Sequence, residues 1–197
     1  MTDTDINYNI ENIYSAAEML PFERKTLFNW IINIIKPKYN ILETGTGVGG
    51  STYYLSRGLK KINEDLKVFT CDPSRSPSQA FLQEYKNVSF FSFYSEYLID
   101  YIIKSNIKIS YMFFDGPEDP NIALNDFKKM EKYIDKDCYF SMHDWEIKPR
   151  KYDNGISTKA LYLRPYIESS NKWEKMEVLD GLNNNNSVGL CLYKFLG

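Results

Sequence analysis

Four carboxylates stand at the ends of short apolar runs in this chain: Glu43 closing Asn40–Glu43, Asp72 after Lys67–Cys71, Asp115 after Ile109–Phe114, and Asp144 just beyond Cys138–Met142. Open α/β sheets bind ligands at the carboxyl ends of their strands, so acids gathered there point to a polar site. Asp115 and Asp144 follow runs expected to be neighbours. Two carboxylates held close repel, and each raises the other's pKa. A divalent cation removes that repulsion. Oxygen donors suit Mg2+, or Mn2+ in its place, with room left for waters and substrate oxygens. Asp115 and Asp144 are therefore the expected metal residues. His143 is the single histidine of the chain. Beside a strand-end acid it has the chemistry of a ligand, a general base or a substrate contact, although lone histidines also serve as packing residues.

The second constellation is Tyr39-Asn40-Ile41-Leu42-Glu43-Thr44-Gly45-Thr46-Gly47-Val48-Gly49-Gly50-Ser51-Thr52. An apolar strand runs into an acid, then into four glycines, then into a helix start. Glycine allows positive φ and lets a ligand approach the backbone closely. The free N–H groups of the following helix face the same space. Such a strand–loop–helix is a cradle for a nucleotide or cofactor. Asp72 comes 22 residues after Gly50, where a carboxylate can accept both hydroxyls of a ribose. An Asp before Pro73 can equally form a turn.

The surrounding pattern supplies elements to hold these residues. Pro21 opens a helix, with Leu27, Trp30, Ile31 and Ile34 at helical spacing and Pro37 as its stop. Strands are expected at Asn40–Glu43, Lys67–Cys71, Val88–Phe91, Ile109–Phe114 and Cys138–Met142. Helices are expected at Ser51–Lys60, near Ser78–Lys86, near Glu96–Ser105, and after an Asp119 cap with Pro120 at the first position. A polar loop spans 146–157, and a helix near Thr158–Ser169 follows. Trp173–Leu179 and Val188–Phe195 form a hairpin joined by the asparagine-rich Asp180–Ser187. Alternating β and α units predict an α/β, Rossmann-like, doubly wound and mostly parallel sheet of about seven strands, closed by an antiparallel C-terminal hairpin. The expected organisation is one domain over 1–197, with a helical lead-in over 1–38 and the core over 39–197.

With 43% apolar residues a packed core is feasible, and the 24 basic against 26 acidic residues form no dense basic block. That argues against nucleic acid as a partner. No apolar run is long enough to span a bilayer. Cys71, Cys138 and Cys191 show no metal spacing and suit a reducing, cytoplasmic setting.

The segment Ile41–Thr52 resembles the first motif of class I S-adenosylmethionine-dependent methyltransferases. More narrowly, it resembles the branch with the macrolide-sugar and aminocoumarin O-methyltransferases and the cephalosporin hydroxylase-like proteins. That branch has Asp-Gly after its fourth strand and an Asp further along the helix, matched here by Asp115, Gly116 and Asp126. Its fifth strand ends in His-Asp or paired acids, matched by His143-Asp144-Trp145. The terminal hairpin is similar too, so the resemblance runs from about Leu20 to the end. It departs at Glu118, where the branch has His, at the preceding Pro117, and at Phe93-Tyr94-Ser95, which lacks the usual acid near the adenine.

The resemblance implies S-adenosylmethionine as cofactor. Glu43, Gly45, Thr46, Gly47, Gly49 and Ser51 would surround its methionine part, Asp72 its ribose, and Ser95 and Asp115 would complete the set. Asp115, His143 and Asp144 would hold Mg2+ or Mn2+, with Glu118 or Asp126 behind them and His143 and Asp115 in catalytic roles. The ion would lower the pKa of an acceptor hydroxyl and align it with the sulfonium methyl. The implied partner is a small-molecule hydroxyl acceptor of sugar or natural-product type, with no nucleic acid and no membrane, and a homodimer left open. Two other classes stay open. Gly45-x-Gly47-x-x-Gly50 also matches the fingerprint of NAD(P)-dependent oxidoreductases. Pro117, Glu118 and Tyr94 suit a degenerate methyltransferase fold kept as a cofactor-binding or interaction module.

Overall fold

The computed structural model describes residues 19–146, 159–179 and 189–197. The expected lead-in before Met19, the polar loop from residue 147 onward and the Asp180–Ser187 connection lie outside the described residues.

The chain enters through helix α1 (Pro21–Trp30), continued by a π turn over Ile31–Ile35. Then β1 (Asn40–Thr44), α2 (Gly50–Ile62), β2 (Val68–Cys71), α3 (Gln79–Glu84), β3 (Val88–Phe91), α4 (Ser95–Lys104), β4 (Ile109–Phe114), α5 (Pro120–Glu131) and β5 (Tyr139–His143) alternate. Helix α6 (Leu163–Glu168) precedes β6 (Trp173–Leu179) and β7 (Leu190–Phe195). The sheet order is β3-β2-β1-β4-β5-β7-β6, with β1 to β5 parallel and β7 antiparallel to both β5 and β6. The expected seven-stranded α/β sheet with an antiparallel end is the observed one.

Strand alternation sorts the core into two layers. Leu42, Met112, Phe114, Phe140 and Met142 pack with Leu98, Ile102, Phe127, Leu163 and Ile167 of α4, α5 and α6. Ile41, Tyr111, Phe113 and Leu192 pack with Leu27, Trp30, Leu55 and Leu59 of α1 and α2. Both faces of the parallel strands are thus covered, which is why they read as near-continuous apolar runs. In register, Thr44 faces Cys71 on one side and Phe114 on the other, and Phe114 faces Met142. The residues that follow, Gly45, Asp72, Asp115 and His143, therefore emerge along one edge.

Local signals act as expected at two helix starts. Ser78 caps α3 by accepting the Phe81 N–H at 3.1 Å, and Asp119 caps α5 by accepting the Asn121 N–H at 2.8 Å. The first helix differs. Ile34 is 38% exposed, and Ile35 is buried in its place. The cause is the π turn, in which the Lys36 N–H reaches Ile31 O at 2.9 Å. An i→i+5 turn takes in one more residue and rotates the side chains that follow. The last helix is also shorter than expected, because residues 159–162 form turns before α6 begins.

Candidate functional site

The sheet changes direction of build between β1 and β4, and the two loops leaving these strands are joined. Thr44 O accepts the N–H of Asp115 at 2.8 Å and of Gly116 at 3.0 Å, while the Thr44 hydroxyl donates to Gly116 O at 2.7 Å. Gly45 has φ +86°, and a Cβ there would lie 2.6 Å from Gly116 N. Only glycine fits this junction. Gly47 is different: at φ +54° its missing Cβ would meet nothing within 4 Å. It opens onto a cavity of about 400 Å3.

That cavity collects most of the expected cofactor residues. Gly45, Thr46, Gly47, Ser51, Asp72, Ser95 and Asp115 all line it. Asp72 holds the loop in shape: Oδ2 accepts the Gly47 N–H at 2.9 Å, and Oδ1 accepts the N–H groups of Ser74 and Arg75 at 2.9 and 2.8 Å. It is a turn former and still a carboxylate on the cavity wall, since each oxygen can take more than one hydrogen bond. The Thr46 hydroxyl pairs with that of Thr70 at 2.6 Å. Ser95 Oγ donates to Asp126 Oδ2 at 2.5 Å. Asp126, expected beside the metal residues, thus backs Ser95 instead. Burial lifts its carboxyl to about 6, against the lowering effect of the Ser95 bond.

Glu43 and Gly49 are not among the residues lining the cavity. Glu43 is fully buried, and its two oxygens accept the hydroxyls of Ser51 and Thr52, each at 2.6 Å. Burial pushes its pKa up to about 7, with the hydroxyl bonds pulling the other way. It braces β1 against α2. Gly49, at φ +96°, is the N-cap of α2 and shapes the loop from behind.

Asp115 lines the cavity, and behind it, buried and not among the lining residues, His143 and Asp144 do come together with it and with two residues that the sequence pattern does not single out. His143 Nδ1 lies 3.1 Å from Asp115 Oδ1 and 3.8 Å from Asp144 Oδ1. His143 Nε2 lies 3.3 Å from Oε2 of Glu23, a fully buried acid on α1. Burial alone would lower the imidazole pKa, but Asp115 first, then Glu23 and Asp144, outweigh it and raise it to about 10. The three surrounding carboxylates thus favour the charged imidazolium, which carries a hydrogen on both nitrogens. Both expected roles, general base and metal ligand, need a nitrogen lone pair, and the three carboxylates work against one.

Lys159 is the second addition. Its ammonium lies 2.7 Å from Asp115 O, 3.3 Å from Asp115 Oδ1, 2.8 Å from Asp144 Oδ2 and 3.0 Å from Glu118 Oε1. The side chain is 2% exposed. Burial works against its charge, and Asp115, Asp144 and Glu118 more than restore it, so its pKa is raised. Burial likewise works against ionisation of Asp115, yet His143 and Lys159 hold its carboxyl below the usual range. Ligand atoms of Asp115, His143 and Asp144 lie within 4.8 Å of one another. As arranged, these donors do not fit a divalent ion. The two carboxylates already share the Lys159 ammonium.

A parallel β3-β2-β1-β4-β5 sheet extended by β7 and β6, with a glycine cradle on β1 and an acid after β2 and β4, is the architecture of the class I methyltransferases. Residues 42–145 match the family described as methyltransferase domain, and the chain belongs to that family. No curated protein sequence matches it. Among solved structures it is similar to the O-methyltransferase of Bacillus cereus in complex with SAH (TM-score 0.73, 16% identity, 99% of this chain and 92% of that one). It is also similar to the Podospora anserina methyltransferase PaMTH1 bound to SAH (TM-score 0.71, 13% identity, 100% and 89%). A third is the O-methyltransferase TomG of Streptomyces achromogenes, involved in tomaymycin synthesis and in complex with SAM (TM-score 0.69, 15% identity, 91% and 82%). At these identities the likeness is one of fold. Among the described residues no helix is long and apolar enough to cross a membrane.

Proposed function

We propose that this chain transfers the methyl group of S-adenosylmethionine to a hydroxyl of a small molecule. The observation that carries this reading is the convergence of Gly45–Gly47, Asp72, Ser95 and Asp115 on one cavity of about 400 Å3 at the point where the strand order reverses. The cofactor forms of S-adenosylmethionine named with three structures of the same fold support it. The loop N–H groups face the methionine part, Asp72 the ribose, Ser95 the adenine side and Asp115 the reacting centre.

Bound there, S-adenosylmethionine would supply the methyl group, its sulfur keeping the electron pair of the broken carbon–sulfur bond as the acceptor oxygen takes the carbon. The Asp115 carboxylate, which its neighbours keep ionised, would orient the acceptor hydroxyl by accepting its hydrogen bond, and the proton would leave to solvent. Alignment of the two reactants is the main contribution of the protein, and well-oriented pairs gain roughly 7–11 kcal/mol over free encounter. The acceptor is a sugar or other natural-product hydroxyl. Three buried, unbridged cysteines support a reducing, cytoplasmic setting.

A metal-assisted form of the same transfer is the second reading. The close approach of Asp115, His143 and Asp144 favours it, and the Lys159 ammonium among them opposes it. Calorimetry with S-adenosylmethionine and with NAD tests the function. Binding of the first is expected, and binding of NAD in its place overturns the reading in favour of an oxidoreductase. Cofactor binding without transfer to any hydroxyl in a panel of sugars and phenols would leave only a binding module.

A further inference from the structure

A buried lysine stands where a metal ion would have to stand. Asp115 and Asp144 end adjacent strands, and the charge between them is already supplied by Lys159 Nζ, 2.8 Å from Asp144 Oδ2 and 3.3 Å from Asp115 Oδ1. An ammonium has three donors. Asp115 O at 2.7 Å, Asp144 Oδ2 at 2.8 Å and Glu118 Oε1 at 3.0 Å use all three. The lysine is delivered by packed structure. Ala160 and Leu163, just after it, are fully buried with Trp145 in the core, and the Arg164 N–H closes on Ala160 O at 2.9 Å. Arg164 in turn donates to Trp145 O at 3.4 Å, tying the start of α6 to the end of β5.

Asp144 is shaped for the same contact. It has φ +56°, a left-handed conformation that Asp tolerates better than most residues. Glu118 completes the arrangement from the β4 loop, and its carboxylate is 70% exposed at the cavity rim. A divalent ion between Asp115 and Asp144 would have to expel an ammonium that has lost its water and gained three oxygens.

We propose that the Lys159 ammonium is the resident cation of this site, holding Asp115 and Asp144 where a divalent ion would otherwise bind, so that methyl transfer here is independent of divalent metal. The part concerning transfer rests on the function proposed above. The part concerning the cation does not. Lys159 is then a positioning residue: it fixes Asp115 on the cavity wall.

The test uses Mn2+ as the probe, followed by electron paramagnetic resonance on the full chain. The wild-type protein is expected to leave Mn2+ free in solution. Lys159→Ala should bind one Mn2+ per chain, Lys159→Ala with Asp144→Asn should lose it again, and Lys159→Arg, which keeps a cation, should bind none. One Mn2+ on the wild-type chain, removed by Asp144→Asn, overturns the proposal, and this arm stands even if the alanine variant fails to fold. A folded Lys159→Ala that binds no Mn2+ overturns it too. Calorimetry with S-adenosylmethionine on the same samples separates the two claims: failure there counts against the function, and the Mn2+ arms still decide the cation.

Discussion

Asp72 reaches across from the end of β2 to accept the Gly47 amide of the β1 loop, Oδ2 to N, at 2.9 Å. One carboxylate therefore shapes the cradle and faces what the cradle holds. Asp72→Ala should weaken S-adenosylmethionine binding both by loss of ribose contacts and by release of the loop. Hydrogen bonds to a charged group contribute about 1.5–3 kcal/mol each, so a loss of at least tenfold in affinity is expected by calorimetry. Unchanged affinity would remove Asp72 from the cofactor site.

The two loop glycines should answer differently to the same change. Gly45→Ala places a Cβ 2.6 Å from Gly116 N at φ +86°, so backbone must move. A loss of roughly 2–5 kcal/mol is expected from left-handed strain and overpacking together. Gly47→Ala meets no protein atom within 4 Å and should cost only about 1–2 kcal/mol. Gly47→Val should leave a folded chain by circular dichroism but abolish cofactor binding. Urea unfolding of the two alanine variants, with equal losses, would contradict this.

The sole histidine makes its charge directly visible, since any imidazole resonance in an NMR titration belongs to His143. It should remain imidazolium through neutral pH and titrate near 10. The folded pKa lies above the unfolded value of about 6.5. Its contribution to stability is therefore full below about pH 6.5 and is lost as pH rises toward 10. A midpoint near 6.5 in the folded protein would restore His143 as a base.

Glu23→Gln tests the source of that charge. It removes one of the carboxylates facing the ring, from α1, without touching the cavity residues. The His143 midpoint should fall by about 1 unit or more, while S-adenosylmethionine binding is retained. No change in midpoint would mean that Asp115 and Asp144 hold the charge alone.

Glu43 predicts the opposite pH dependence from an ordinary surface acid. Its folded pKa of about 7 exceeds the unfolded value near 4.3, so the folded chain keeps a proton that the unfolded chain releases. The contribution of this group to stability should fall as pH rises from about 4.3 to 7 and stay level above that. Glu43→Gln should flatten that slope in urea titrations at several pH values. An unaltered slope would mean that Glu43 is ionised in the folded state.

The sheet and most of the cavity wall could be read from the chain because they rest on local rules. Apolar runs of strand length end in Gly45, Asp72, Asp115 and His143, and parallel register brings such ends to one edge. What escaped depends on contacts between distant segments. Lys159 lies in a polar stretch with no spacing to distinguish it from a solvated lysine, and only Asp115 and Asp144 give it meaning. Glu23 sits among Arg24 and Lys25 on α1, and its burial becomes visible only once α1 is packed against the end of β5. Glu43 did carry a signal: hydroxyls at Ser51 and Thr52 stand in the first turn of α2, ready to donate to its two oxygens.

The junction of Thr44 with Asp115 and Gly116 also constrains how a ligand enters. Three hydrogen bonds and a contact that tolerates no side chain weld the β1 and β4 loops into a single floor. Neither loop can swing aside without unpicking the other. Among the described residues, the exposed parts of the cavity wall are the Pro73–Arg75 turn, Glu118 and Tyr94, and admission of cofactor and acceptor falls to them. Asp115 is thus anchored in the bonded floor, while passage falls to the more exposed rim.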